Sequence, residues 1–231
     1  NWPNITKKFI SSFNLGYSLI SSQIEFKDNL VFLLSNIENL NNVLIDLSKD
    51  IWLYISKDYL KQKISSSEVG SSTMPHKVNP IDFENAEGNL TLSNSLIPAL
   101  KNKLQISRLQ RDLSDSTVSR NIGLCFAYLE ISLKSLNKGL NKLEPNKKKI
   151  NEELEESWEV LAEAIQTVMR KNKISNSYDI IKKLTRGKEL SGKSYRNLIE
   201  NLPINEVDKT KLLKLTPIQY TGLASYLAKL K

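Results

Sequence analysis

The stretch Gly70–Pro80, GSSTMPHKVNP, gathers reactive side chains where a core element would carry apolar ones. Lys77 brings a positive charge and Asn79 two amide N–H donors, two residues apart, a pairing suited to gripping a carboxylate. The helix expected to open at Pro80 adds free N–H groups and a dipole that also favour an anion. Ser71 or Ser72 is then placed to act on a proton next to that carboxylate. His76 is the only histidine in the chain, and from residues alone it would be the general acid. The same composition also fits a solvated linker in front of a proline-initiated helix.

A second cluster lies in Gln110–Asn121, QRDLSDSTVSRN. Arg111 and Arg120 flank a helix start, with Ser116 and Thr117 in its first turn. Two guanidinium groups, a hydroxyl and free N–H groups make a phosphate cradle. The plainer reading is a surface helix with ordinary charges. Gln23, in SSQIE, reads as a polar residue ahead of a helix.

Positioning these residues calls for helices nearly throughout. Glycine is scarce, at eight residues, and no alternating stretch is long enough to insist on a strand. From Asp28, a plausible N-cap, to about Leu60, apolar residues recur at steps of three and four: Leu33, Ile37, Leu40, Leu44, Leu47, Ile51 and Tyr54. A helix of ~33 residues spans about 50 Å, and one that long needs partners of similar length. Ile64–Thr73 is small, polar and without periodicity, so it reads as a loop. Pro80 opens a helix over about Ile81–Lys103. Another runs over about Ser116–Leu143, with Asp115 as N-cap and Val118, Ile122, Cys125, Leu129, Leu133, Leu136 and Leu140 as its apolar set. After Glu144-Pro145 the periodic segments shorten, at about Lys147–Glu156, Trp158–Lys171, Ser177–Leu184, Ser191–Asn201, Glu206–Leu213 and Pro217–Leu230. The expected fold is all-α. A long-helix bundle with the signature loop 64–79 occupies 1–143, and a small C-terminal helical domain occupies 144–231.

GSSTMPHKVNP is similar to the GSSxMPxKxNP signature of the fumarase/aspartase superfamily. Its PHK variant, followed by IDFENAEGN, resembles the adenylosuccinate lyases, of bacterial type. The likeness extends through Gln110–Asn121, Trp158–Arg170 (WEVLAEAIQTVMR) and Leu184–Lys188 (LTRGK). The resemblance implies a β-elimination that releases fumarate, from adenylosuccinate to give AMP and from the succinyl-carboxamide intermediate SAICAR to give AICAR. It puts the general base at Ser71. It makes Gln23, Ser72, Met74, Lys77, Asn79, Asn85, Arg111, Ser116 and Arg120 substrate contacts, with Lys77 and Asn79 on the succinyl carboxylate. The acid is implied to be a histidine from an upstream segment, with His76 a local structural or substrate-adjacent residue. The family chain is about twice this length and forms homotetramers whose active sites mix residues from three subunits. This chain is therefore expected to be the C-terminal portion, inactive or nearly so by itself. No metal or other cofactor is implied.

Composition sets the limits. The net charge of +8 favours anionic partners, phosphorylated metabolites among them. The one dense basic run, Lys147–Lys149, holds no aromatic residue, so nucleic acid is not an expected partner. No apolar run reaches the ~18 residues of a membrane span, and Asn1–Phe9 lacks the apolar core of a signal peptide. A single cysteine, Cys125, reads as a small buried hydrophobe and fits a reduced, cytoplasmic setting. Rival readings are a sister lyase of the same superfamily, a non-catalytic helical assembly module and a basic nucleic-acid-binding protein. Arg111, Ser116 and Arg120 speak against the first, and the last lacks a DNA-reading motif.

Overall fold

The computed structural model describes residues 1–63, 79–109, 111–185 and 190–230. It divides into two compact units, Asn1–Glu144 and Pro145–Lys231. The architecture is helical, with one two-stranded ribbon among the described residues.

The first unit is built on three long helices: α2 (Asp28–Ser56), α3 (Ile81–Leu104) and α5 (Ile122–Asn141). Helix α3 packs against both of the others. Its buried residues Phe83, Ala86, Leu90, Ser93, Ile97, Leu100 and Leu104 alternate steps of three and four, the spacing of a bundle seam. Leu34 and Ile37 of α2 cluster with Ile97, Leu100 and Leu104 of α3 and Cys125 of α5. Ile51 clusters with Phe83, Ala86 and Leu136. Neighbouring helices are therefore antiparallel, and α3 exposes a different end of the bundle at each terminus.

The seam of α2 keeps Ile37, Ile51 and a half-buried Leu44 from the expected set and departs from it elsewhere. Leu34, Ile37, Asn41, Ser48 and Ile51 are buried, whereas Leu33, Leu40, Leu47 and Tyr54 are exposed. On α5, Cys125, Ser132, Leu136 and Gly139 are buried, and Leu133 and Leu140 are exposed. Small and polar residues thus occupy much of the contact within one copy, and they allow the backbones to approach closely. Asn41 donates to Ser93 Oγ at 3.0 Å and to Asn94 Oδ1 at 2.8 Å, and Ser93 donates to the carbonyl of Cys125 at 3.1 Å. Ser132 donates to the carbonyl of Ala86. Cys125 is fully buried, and burial pushes its thiol up from the ordinary range.

Gly139 sets the tightest of these contacts. A Cβ there would lie 2.7 Å from Phe83 Cζ and 3.1 Å from Asp82 Cβ. Phe83 is fully buried and has nowhere to move. Gly139→Ala should therefore destabilise the bundle by about 1–3 kcal/mol, read as a lowered midpoint in chemical denaturation. A midpoint at or above that of the unmodified protein would show that α3 and α5 do not pack this way.

Several ends differ from expectation. Lys27, at φ 65°, holds the cap position of α2, and Asp28 is the first helical residue. The helix ends at Ser56 instead of Leu60, and the chain enters a short strand β1 (Leu60–Gln62), paired with β2 (Leu143–Pro145). The helix expected from Ser116 is two helices, α4 (Ser114–Ser119) and α5, broken at Arg120–Asn121. An exposed helix α1 (Trp2–Ser12), not anticipated from periodicity, begins the chain with no buried residue.

The second unit contains α6 (Lys147–Glu156), α7 (Ala162–Lys171), α8 (Ser177–Thr185), α9 (Gly192–Glu200), α10 (Glu206–Lys214) and α11 (Ala224–Leu227). The segment expected as one helix from Trp158 opens as a 3₁₀ turn over Trp158–Leu161. That expected from Pro217 is a 3₁₀ turn (Pro217–Gln219), with α11 as a single turn after it. Its core centres on Leu161, Ile165, Met169, Tyr195 and Ile199. The Tyr195 hydroxyl donates to the carbonyl of Leu212 at 2.9 Å, so its polar tip is satisfied inside the core.

Among the described residues, Asp208 is the buried charge of this unit. Lys171 donates to it at 2.6 Å, and Asn172 and Asn205 each at 2.8 Å. These three donors, Lys171 foremost, hold its carboxyl down at about 2. An unfolded Asp titrates near ~3.9, so Asp208 stabilises the fold fully above about pH 4, and that contribution is lost as pH falls towards about 2. Asp208→Asn should melt below the unmodified protein at neutral pH, and the gap should close over that acid range. A gap independent of pH would contradict the assignment.

Candidate active site

The expected site residues fall into three groups. Ser71, Ser72, Met74 and Lys77, with His76, lie outside the described residues. Asn79 and Asn85 stand at the start of α3. Arg111, Ser116 and Arg120 stand beyond its other end, and Gln23 precedes α2.

At the first end, Asn79 is half-buried and is followed by Pro80, which occupies the cap position of α3. The Pro80 carbonyl accepts from the N–H groups of Phe83 and Glu84 at 3.0 and 3.2 Å. Among the described residues no side chain caps this terminus. Two acidic residues of the first turn would oppose an anion, but both are engaged. Asp82 is ion-paired with Lys142 at 2.6 Å and Lys138 at 3.4 Å, and Glu84 accepts from the Trp52 indole at 2.9 Å. Asn85 donates to Ser135 Oγ at 3.0 Å, and its Oδ1 accepts from Asn89 at 2.6 Å. These two partners fix the amide plane of Asn85.

At the other end, Arg111, Ser116 and Arg120 are all exposed on or beside α4. Among the described residues neither guanidinium has an ion-pair partner. The Ser116 hydroxyl donates to the carbonyl of Leu113 at 2.8 Å. The carboxylate that organises this end is Asp112, not the expected Asp115. It accepts from the N–H and hydroxyl of Ser114 at 3.0 and 2.8 Å and from Lys103 at 3.0 Å. Those contacts, the Ser114 N–H first, hold the Asp112 carboxyl well below the usual range, so it stays ionised and keeps α4 anchored to the end of α3. Gln23 is exposed in the irregular stretch before α2. Leu30 of α2 packs into the cluster that contains Leu100 and Leu104, which puts the start of α2 at this same end.

The two groups are well separated. Helix α3 has 24 residues, so its ends lie about 36 Å apart along the axis. One copy presents the Asn79 and Asn85 amides at one end and two cationic side chains at the other. It does not bring them together.

Two contributors escaped the sequence reading. Ser135, which orients Asn85, sits on α5 with no motif around it. Lys142, which neutralises Asp82, is separated from it by 60 positions and is invisible to local spacing.

A family model described as "Adenylosuccinate lyase C-terminal" matches residues 107–221, and one described as "Lyase" matches residues 6–92. The chain is 50% identical over 229 residues to the adenylosuccinate lyase of Legionella pneumophila (strain Corby), covering 99% of this chain and 50% of that protein. It is 49% identical to that of Buchnera aphidicola subsp. Schizaphis graminum and 45% identical to that of Escherichia coli (strain K12), in each case over 97% of this chain and 49% of the relative. The chain thus spans about half the length of the curated relatives it matches. In fold it is similar to a class II fumarase from Schistosoma mansoni, with a TM-score of 0.62 at 17% identity, over 94% of this chain and 47% of that one. The matched segments include both groups of site residues placed at the ends of α3, and on these matches the chain belongs to the adenylosuccinate lyase family.

Proposed function

We propose that the protein to which this chain belongs is a carbon–nitrogen lyase that eliminates fumarate from adenylosuccinate, leaving AMP, and from SAICAR, leaving AICAR. A base removes a proton from the succinyl carbon β to the nitrogen. The electron pair is held on the neighbouring carboxylate as an aci form. The C–N bond then breaks, the pair becomes the double bond of fumarate, and an acid protonates the departing nitrogen. Ser71 is the base. A free serine is too weak an acid to ionise at neutral pH, so surrounding donors and positive charge must stabilise its alkoxide. Lys77 and Asn79 hold the carboxylate on which charge grows, where binding energy lowers the barrier. Ser72, Met74 and Asn85 are further substrate contacts. Arg111, Ser116 and Arg120 take the phosphate, and Gln23 contacts the substrate from the segment before α2. No cofactor is required.

The observation that carries this reading is the separation of the two groups along α3. A substrate with a carboxylate end and a phosphate end cannot bridge about 36 Å, so one site has to take its two halves from different copies. The exposed Leu33, Leu40, Leu47, Leu133 and Leu140 give α2 and α5 apolar faces for such an assembly, a homotetramer. Among the described residues no helix is long and apolar enough to cross a membrane; a cytoplasmic location is part of the proposal, on the single cysteine of the chain. The test is to assay the protein, as its gene encodes it, for fumarate release. Release from adenylosuccinate but not from argininosuccinate supports the reading, and release from argininosuccinate alone assigns the sister lyase.

A further inference from the structure

We propose that Lys142 is a positioning residue for the active site, with its backbone and side chain tying together the two ends of the chain that flank residues 64–78. The proposal rests on the reading of Asn79 as a carboxylate contact.

On the entering side, β1 pairs with β2, and the Lys63 N–H donates to the Lys142 carbonyl at 2.8 Å. Lys63 also forms an ion pair with Glu144 at 3.2 Å. On the leaving side, Asp82 follows Asn79 within the first turn of α3. Its Oδ2 takes the Lys142 ammonium at 2.6 Å, and its Oδ1 faces Lys138 at 3.4 Å. One residue therefore contacts both stems, Lys63 through its carbonyl and Asp82 through its ammonium.

Most ion pairs among the described residues are exposed and contribute little. This one is different, since the side chains of Lys142 and Asp82 are only 16% and 12% exposed. The site is also crowded, with Phe83 fully buried against Gly139 next to the pair. Electrostatics favour the arrangement from both sides. Asp82 stands at the positive end of α3, and Lys138 and Lys142 stand at the negative end of α5. Removing the ammonium would free the first turn of α3 to shift, and Asn79 would move with it. A displacement of about 1 Å at a substrate contact is enough to cost on the order of 100-fold in rate.

The experiment places Lys142→Met and Asp82→Asn each alone and together with Asn79→Ala in the protein as its gene encodes it. It reads kcat, KM and the thermal midpoint with adenylosuccinate as substrate. Lys142→Met is expected to lower kcat about 10- to 100-fold with a much smaller change in KM. In the Asn79→Ala background the same change should have little further effect, because both act through one contact. Lys142→Arg, which restores the charge, should recover part of the loss. If Lys142→Met fails to fold, Asp82→Asn, of the same shape, carries the comparison. Wild-type kcat in both variants, or losses that multiply with that of Asn79→Ala, would overturn the proposal. An Asn79→Ala variant with unchanged kcat would instead show that the reading of Asn79 is wrong.

Discussion

Replacing Ser71 with Ala in the protein as its gene encodes it is expected to lower kcat by about 10²–10⁴-fold, the usual contribution of a positioned base. The substrate is held at its carboxylate and phosphate ends by other residues, so KM should change far less. The thermal midpoint should stay where it is, because a hydroxyl is exchanged for a hydrogen. Steady-state kinetics alongside a melting curve separate these outcomes. Full activity in Ser71→Ala would remove the base from this residue and favour the non-catalytic assembly reading.

Asn79→Ala should produce the second large loss, about 10²–10³-fold in kcat, the typical effect of deleting one donor to a developing negative charge. The reasoning differs from that for Ser71. The carboxylate is already charged in the ground state, so part of the loss should appear in KM. The larger part should appear in kcat, because the aci form carries more charge than the substrate does. A loss confined to KM would mean that Asn79 binds the substrate without favouring the transition state. The structure adds that Asn79 is half-buried beside a helix terminus whose acidic residues Asp82 and Glu84 are already engaged by Lys142 and Trp52.

How much of this was legible in the sequence varies by element. Helix α3 was, nearly to the residue, because Pro80 marks its start and its apolar positions fall at bundle spacing. Helix α2 was legible in part: Ile37 and Ile51 of the expected seam are buried and Leu44 packs beside them, whereas Leu33, Leu40, Leu47 and Tyr54 face outward. It carries two stripes one position apart, and apolar content favours Leu33, Leu40 and Leu47 over the stripe that contains Asn41 and Ser48. Within one copy the polar stripe is buried, because Asn41 finds partners on α3 and small groups let the helices close in. Hydrophobicity alone gives no way to tell which of two stripes meets its own chain. The start of α4 shows a second limit. Asp112 and Asp115 each precede a serine by one or two positions, and Lys103 decides between them from the end of another helix. In the site, Asn79 and the arginines were marked by their motifs. Lys142 and Ser135 were not, since each acts through a contact made 50 or more positions away.

The shared site is tested most directly by mixing two variants, Ser71→Ala and Arg111→Ala, each expected to be nearly inactive when assembled alone. If the two ends of α3 serve different sites, some sites in a mixed assembly receive an intact copy of both groups. Dissociating and reassembling the two proteins together should then restore fumarate release from adenylosuccinate to a level that neither parent shows. If the reassembled mixture, verified to contain both variants, stays at the activity of its parents, each site draws on a single copy and the account is contradicted.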